Sequence, residues 1–185
     1  MKFRTLILLL FTLISVTAEG KNDSARVIYN SYFFKLGSSH LKDTYLSIIP
    51  YKGVEYGGGF ENIRTSRFKE HKWATRHLLE AEMAQTYNQR KNSYMTSFMF
   101  DYEFDYYRKY PLPCGLNLFI GGNILFDIGS TYTGIGNNPA TAKASLSLGV
   151  AAMASYKLKI NNYPITIKNN FSLPAIGTFY CPQYG

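Results

Sequence analysis

The chain of 185 residues contains two cysteines, one tryptophan, seven prolines and three histidines, and each scarcity removes a class of protein. Two cysteines exclude a disulfide-stapled scaffold and a zinc site built from four thiolates. Charged side chains make up 17%, below the usual share of about 25%, and with 46% hydrophobic residues this argues against disorder. The length suffices for a core in a single domain. No Gly-x-Ser-x-Gly, His-Glu-x-x-His or calcium-loop pattern occurs, and His40, His71 and His77 have no Ser-His setting around them. No catalytic residue, cofactor or metal ligand set is therefore expected. What is abundant is aromatic: 16 Tyr and 13 Phe, for 16% aromatic residues overall.

Beyond the first residues no stretch is apolar enough for a transmembrane helix. Lys2 and Arg4 precede an apolar run from Leu6 to Ile14, interrupted by Thr12, and Val16-Thr17-Ala18 places small residues where a signal peptidase reads. Residues 1–18 are expected to be an export signal cleaved after about Ala18, leaving a domain at 19–185; a buried N-terminal helix is the alternative. The run is too short to span a bilayer core of about 30 Å. The mature chain keeps 18 basic and 12 acidic residues.

The rest alternates with period two. From Tyr94 to Tyr106 the even positions are Tyr94, Thr96, Phe98, Phe100, Tyr102, Phe104 and Tyr106, and the odd ones include Asp101, Glu103 and Asp105. A helix would scatter both sets around its circumference, so a strand is predicted. Two further strands follow. Leu116 to Ile128 alternates with Asn117, Gly121, Asn123 and Asp127, and Leu146 to Leu158 alternates with Ser145, Ser147 and Gly149. Trp73 to Tyr87 is a fourth strand, although Leu78 to Ala84 would also suit a helix. Val27–Leu36, Val54–Arg64 and Ile165–Leu173 complete seven, with Leu46–Pro50 as a short extra strand. Gly57-Gly58-Gly59 lacks the Lys-Ser/Thr of a phosphate loop and suggests a close-packed or bent strand.

Strands with one greasy and one small, polar face suit a transmembrane antiparallel up-and-down β-barrel, with the greasy face to lipid and aromatic girdles at the interfaces. Closure removes the backbone edges that lipid penalises. An exported soluble barrel binding an apolar ligand is the alternative, with the aromatic face turned inward. Short connections near Arg67–Lys72, Lys109–Pro113 and Asn161–Tyr163, against longer ones near Gly37–Tyr51 and Gly129–Ala142, orient the short turns to the periplasm. Cys114 then sits at the periplasmic end and Cys181 beyond the other, so two free thiols are expected.

Tyr45-Leu46-Ser47, Tyr51-Lys52-Gly53, Trp73 opening a strand, Asn137-Asn138-Pro139-Ala140 with Ala142-Lys143-Ala144, and Leu173-Pro174, Gly177, Phe179, Pro182 and Tyr184-Gly185 resemble an uncharacterised Bacteroidota family of outer-membrane β-barrels, catalogued as a domain of unknown function. The resemblance implies an exported barrel and no known activity. In that family the last element is followed by further strands, whereas this sequence stops at Gly185. Seven strands is an odd count where single-chain bacterial barrels are even. A truncated product is expected, with an oligomer closing the edge or an uncounted strand as alternatives.

Glu80, Glu82, Asp101, Glu103 and Asp105 fall on the inner face of neighbouring strands and form a candidate lumen acidic patch able to attract cations. The plainer reading pairs them with inward Arg76 and Lys157. A lipid-modifying enzyme using His77 on the lipid face is a minor alternative. Arg64, Arg67, Lys69, Lys72, Arg90, Lys91, Arg108 and Lys109 gather at strand ends, where they can meet lipid phosphates. Outer-membrane lipids are the expected partners, with self-association at an open edge; export removes nucleic acid as a partner. The expected role is structural, pore-like or binding, and not catalytic.

Overall fold

The computed structural model describes residues 16–19, 28–43, 46–66, 72–134, 139–160 and 163–182. The apolar run of the expected leader lies outside these residues, as do Val27, Tyr45, Arg67, Lys69, His71, Asn137-Asn138 and Tyr184-Gly185. The described residues form one antiparallel up-and-down sheet whose spatial order follows the chain. Its strands are β1 (Val16–Glu19), β2 (Ile28–Leu41), β3 (Tyr51–Thr65), β4 (Trp73–Tyr87), β5 (Tyr94–Pro111), β6 (Leu116–Thr133), β7 (Ala140–Ile160) and β8 (Tyr163–Tyr180). The seven expected strands are β2 to β8.

Most are longer than their apolar alternation predicts. β2 and β6 run on through Ser38-Ser39-His40 and Ser130 to Thr133, where mostly polar residues carry the pleat past the greasy segment, and β8 runs on from Pro174 to Tyr180, where Pro174 and Gly177 break the alternation around Ile176 and Phe179. β4 keeps the predicted bounds and is a strand throughout, so the helical option for Leu78–Ala84 falls. Each of its inward residues is matched by one on β5, as with Arg76 opposite Asp105 and Glu80 opposite Asp101. The expected short strand at Leu46–Pro50 is a turn instead. The amides of Leu46 and Ser47 both donate to the Asp43 carbonyl, and Ile48 and Ile49 are exposed.

The glycine run lies inside β3, and its inner face explains it. Lys35 is paired with Gly57 and Phe33 with Gly59, while Gly57 and Gly59 pair on their other side with Glu82 and Glu80. With no side chains there, Lys35 crosses over β3 to reach both glutamates on β4. A Cβ at Gly59 would lie 2.4 Å from the Phe33 ring and 2.5 Å from the Leu79 carbonyl oxygen. The glycines make room; no phosphate loop is present.

Connections 66–72, 112–115 and 161–162 lie at one end, called lower here, and 42–50, 88–93 and 134–139 at the upper end. The 3-10 turn Pro113–Gly115 closes the β5–β6 connection, with Gly115 at φ 78, a conformation that favours glycine. Cys114 is in this lower turn, and Cys181, free and exposed, follows β8 at the upper end.

Sheet pairing runs from β1 to β8 and does not close. β2 and β8 both run from the lower to the upper end, so joining them directly would make a parallel pair. Antiparallel closure takes one descending strand between them. β1 descends along the lower part of β2, with Val16 opposite Tyr32 and Glu19 opposite Tyr29. The expected cleavage after Ala18 falls inside this strand. On β8 the register slips between Leu148 and Gly149, which pair with Ile176 and Pro174, so Ala175 is the extra residue of a β-bulge.

The curled sheet places charged and small residues inside and apolar residues outside. Ile63, Ala74, Tyr107, Phe119, Ala151 and Met153 form a compact apolar cluster in the lower lumen. Outside, Phe34, Phe98, Phe100, Ile128, Leu148 and Phe171 are exposed by 64, 50, 41, 48, 55 and 61%.

Replacing Gly59 by Val should destabilise the fold by about 3 kcal/mol, because the branched side chain would strike both Phe33 and the backbone of β4. Gly37→Ala, with nothing within 4 Å of the new Cβ, is the matched control. Urea unfolding of both variants measures the difference; equal midpoints would remove this account of the glycine run.

Candidate functional site

Alternation turns every second residue of each strand into one lumen, and pairing register decides which of them share a level. The lower level is organised by Arg76 of β4, which is buried. Its Nε donates to Glu61 of β3 at 2.6 Å, and its Nη1 donates to Glu103 and Asp105 of β5 at 2.9 and 2.7 Å. A guanidinium has a planar fork of donors and no acceptor, so several carboxylates around it satisfy both sides.

The network then crosses to the far side of the sheet. Lys168 of β8 donates to Glu61 at 2.7 Å, Asn123 of β6 donates to Glu103 at 3.4 Å, and the Ser172 hydroxyl of β8 donates to Glu103. The Tyr107 hydroxyl donates to Asp105 at 2.9 Å, tying the charged layer to the apolar cluster. Strands β3 and β8, far apart in pairing order, are thus linked across the lumen through side chains. Arg76 behaves as the sequence suggests. Lys157 does not: its ammonium stands 5.8 Å from the centre of the Tyr29 ring, on a cation–π contact. Its place near the lower end puts it with the aromatic side chain there, below the acids.

The five expected acids are split between two levels. Glu103 and Asp105 belong to the Arg76 layer. Glu80 and Glu82 lie higher and share Lys35, at 2.5 and 2.8 Å. Asp101 sits at that level opposite Asp127, whose carboxylate accepts from Ser145 at 2.5 Å. Higher again, Asp43 accepts from Lys143 at 2.6 Å and from Thr141 at 3.0 Å. A cavity of about 370 Å³ opens beside β8, lined by Glu82, Met99, Asp101, Asp127, Lys143 and Phe179. Its lining is richer in acids than in bases, so it favours cations over anions. Among the described residues no three His, Cys, Asp or Glu side chains are grouped to hold a metal ion.

Glu61, Lys35, Lys168 and Asp127 complete the site and were not singled out from sequence. Lys168 had a usable signal, since Thr166, Lys168, Asn170 and Ser172 form the polar half of an alternation. Glu61 had none, because the glycines of β3 interrupt the pattern that would show its face, and Lys35 had none, because the consecutive aromatics Tyr32-Phe33-Phe34 blur the alternation of β2. His77 is on the outer face, where its Nδ1 lies 2.9 Å from the Tyr102 hydroxyl. Its partner is a phenol and not a carboxylate.

The fold and lumen define a class: an up-and-down β-sheet curled around a charged interior with an apolar exterior. Over residues 3–185 the chain matches the family described as Protein of unknown function (DUF3316), and it belongs to that family. The match carries the unknown-function domain of the resemblance but no organism group and no cellular location. Searches of curated proteins and of solved structures gave no match.

Arg76→Ala should cost about 3–5 kcal/mol, since it leaves Asp105 and Glu103 without their cation in the lumen and Glu61 with Lys168 alone. Adding Glu61→Gln and Asp105→Asn to that variant should restore part of the loss, which a mutant cycle in chemical denaturation would measure. Strict additivity of the changes would show that the three groups do not act as one network.

Proposed function

We propose that the chain is an outer-membrane β-barrel with a structural or binding role, exported by its N-terminal signal and not catalytic. The observation that carries this is the inverted distribution of polarity. Water-soluble barrels bury apolar rows, but here apolar rows are outside and ion pairs are inside. Contiguous apolar surface of this extent is unusual on a soluble monomer, and hydrocarbon is the solvent in which it is favourable.

Dimensions agree. Trp73 stacks on Tyr106 near the lower end, with centroids 5.0 Å apart, and Tyr94 lies 6.5 Å from Tyr132 near the upper end. Twelve residue steps separate Tyr94 from Tyr106 on β5. At about 3.3 Å per step and a tilt of about 40°, they span roughly 30 Å. That is close to the thickness of a hydrocarbon core. The longer loops at the upper end fit the outer side and the shorter turns the periplasm.

Within the functional range expected from sequence, the lumen favours binding or structure over conduction. The Arg76 network and the Tyr107, Phe119 and Met153 cluster fill its lower half. The soluble alternative needs an apolar interior for its ligand, and the interior carries carboxylates. Self-association is the weaker route to closure. Beyond the reach of β1, two copies inserted with the same orientation would set β2 of one beside β8 of the other, edges that run the same way, giving parallel pairs in an otherwise antiparallel sheet.

Phe100 lies midway between Tyr94 and Tyr106 and faces outward. Phe100→Arg should destabilise the inserted protein by about 2–4 kcal/mol. Flotation with lipid vesicles and gel mobility with and without heating read the outcome. Recovery of the wild-type chain in the soluble fraction, or a Phe100→Arg variant that inserts as well as wild type, would overturn the reading.

A further inference from the structure

We infer that a pocket on the outer face at the lower ends of β3, β4 and β5 holds the phosphate of an anionic phospholipid, with Arg64 as its main contact. The inference rests on the bilayer reading above and adds a specific lipid site to it. The pocket encloses about 280 Å³ and is lined by Arg64, Trp73, Thr75, His77 and Tyr106, among others. Register brings them together: Arg64 is opposite Thr75, and Thr75 is opposite Tyr106.

Charge provides the first argument. Arg64 is exposed and has no ion pair among the described residues. No carboxylate occurs in the outward rows of β3, β4 and β5: every acid of those strands points into the lumen, and the outward Asn62 and Gln85 are neutral amides. A second guanidinium, Arg108, pairs in register with Trp73 and lies 5.5 Å from the Tyr110 ring centre. Two cations flank β4, and among the described residues no acid in the outward rows of these strands neutralises them. A guanidinium fork matches phosphate oxygens in a bidentate contact.

Position supplies the second argument, and it selects a lipid over a free anion. The pocket is at the boundary of the apolar belt. The Trp73–Tyr106 stack walls it, and amphipathic rings settle at that depth of a bilayer. Above it Phe104 and Leu79 continue the apolar surface along the strands. His77 is held against Tyr102 and Phe104, which closes the upper side with a fixed ring. A phosphate below and an acyl chain above fit this sequence of surfaces.

Trp73 is the only tryptophan, so its fluorescence reports the site directly. The full chain is inserted into phosphatidylcholine vesicles carrying brominated phosphatidylglycerol or, in parallel, brominated phosphatidylcholine at the same mole fraction. Brominated phosphatidylglycerol should quench Trp73 more strongly, corresponding to about fivefold enrichment beside it for one interfacial cation. Arg64→Gln should abolish the difference and Arg64→Lys should keep most of it. Millimolar inorganic phosphate should leave it unchanged; if free phosphate removes the preference, the site is for a soluble anion and the lipid assignment falls. Protein that does not float with vesicles overturns the bilayer reading itself. Protein that floats but is quenched equally by both lipids overturns this inference alone. Should Arg64→Gln fail to insert, the comparison of the two lipids on the wild-type chain still decides.

Discussion

A buried guanidinium demands acceptors on every side, and the placement of Arg76 makes that demand at the centre of the curled sheet. Its partners come from β3 and β5, the two strands that flank β4, and those partners are in turn held by Lys168, Ser172 and Asn123 from β6 and β8. The curvature of the sheet follows from this chain of contacts, because β8 can reach Glu61 only if the sheet bends through most of a turn. Burying ions is costly unless each is paired and hydrogen-bonded. A network shared among so many strands meets that condition and, in doing so, specifies their register.

The small residues of the inner face serve the same requirement. Long charged side chains cross the lumen only where intervening strands are bare, and Gly57 and Gly59 provide the clearance for Lys35 to reach Glu80 and Glu82. The outer face is under no such constraint and is filled by Phe, Tyr, Leu and Ile. Polarity is therefore sorted by strand parity alone, and a single-residue slip in any pairing would turn ions outward and aromatic rings inward. The proposed bilayer reading makes that slip doubly unfavourable, since lipid would then face charge.

The open pairing between β2 and β8 is the point at which the fold is least constrained. β8 is exposed on both faces toward its upper end, with Ile176 and Phe179 at 77 and 80%. Side chains bridge the open side at both levels: in the lower half Lys168 lies 5.9 Å from the Tyr29 ring centre, and at the upper end Asp43, just beyond β2, pairs with Lys143 of β7. The parity of strand directions says what kind of element fits the gap, a single descending strand.

Much of this was legible in the amino-acid order. Seven strands, their faces and the inward acids Glu80, Glu82, Asp101, Glu103 and Asp105 follow from period-two alternation, because the pleat sends successive side chains to opposite sides whatever the neighbours are. The pairing of Arg76 with acids was legible for the same reason. The strand ends were not, since polar residues extend β2 and β6 beyond the apolar run, and in β8 the bulge at Ala175 shifts the alternation before Ile176 and Phe179. Leu46–Pro50 was misleading because its apolar residues are exposed in a turn held by the Asp43 carbonyl.

What the sequence by itself determined is therefore local: element type, the sorting of polar from apolar faces, and the identity of the charges available inside. Only the tertiary structure decided which charges meet. Glu61 joins Lys168 across 107 positions of chain, and Lys157 turns to Tyr29 although acids are plentiful. Such partnerships depend on register and curvature summed over several strands, and no local periodicity encodes the distance between two strands that never pair.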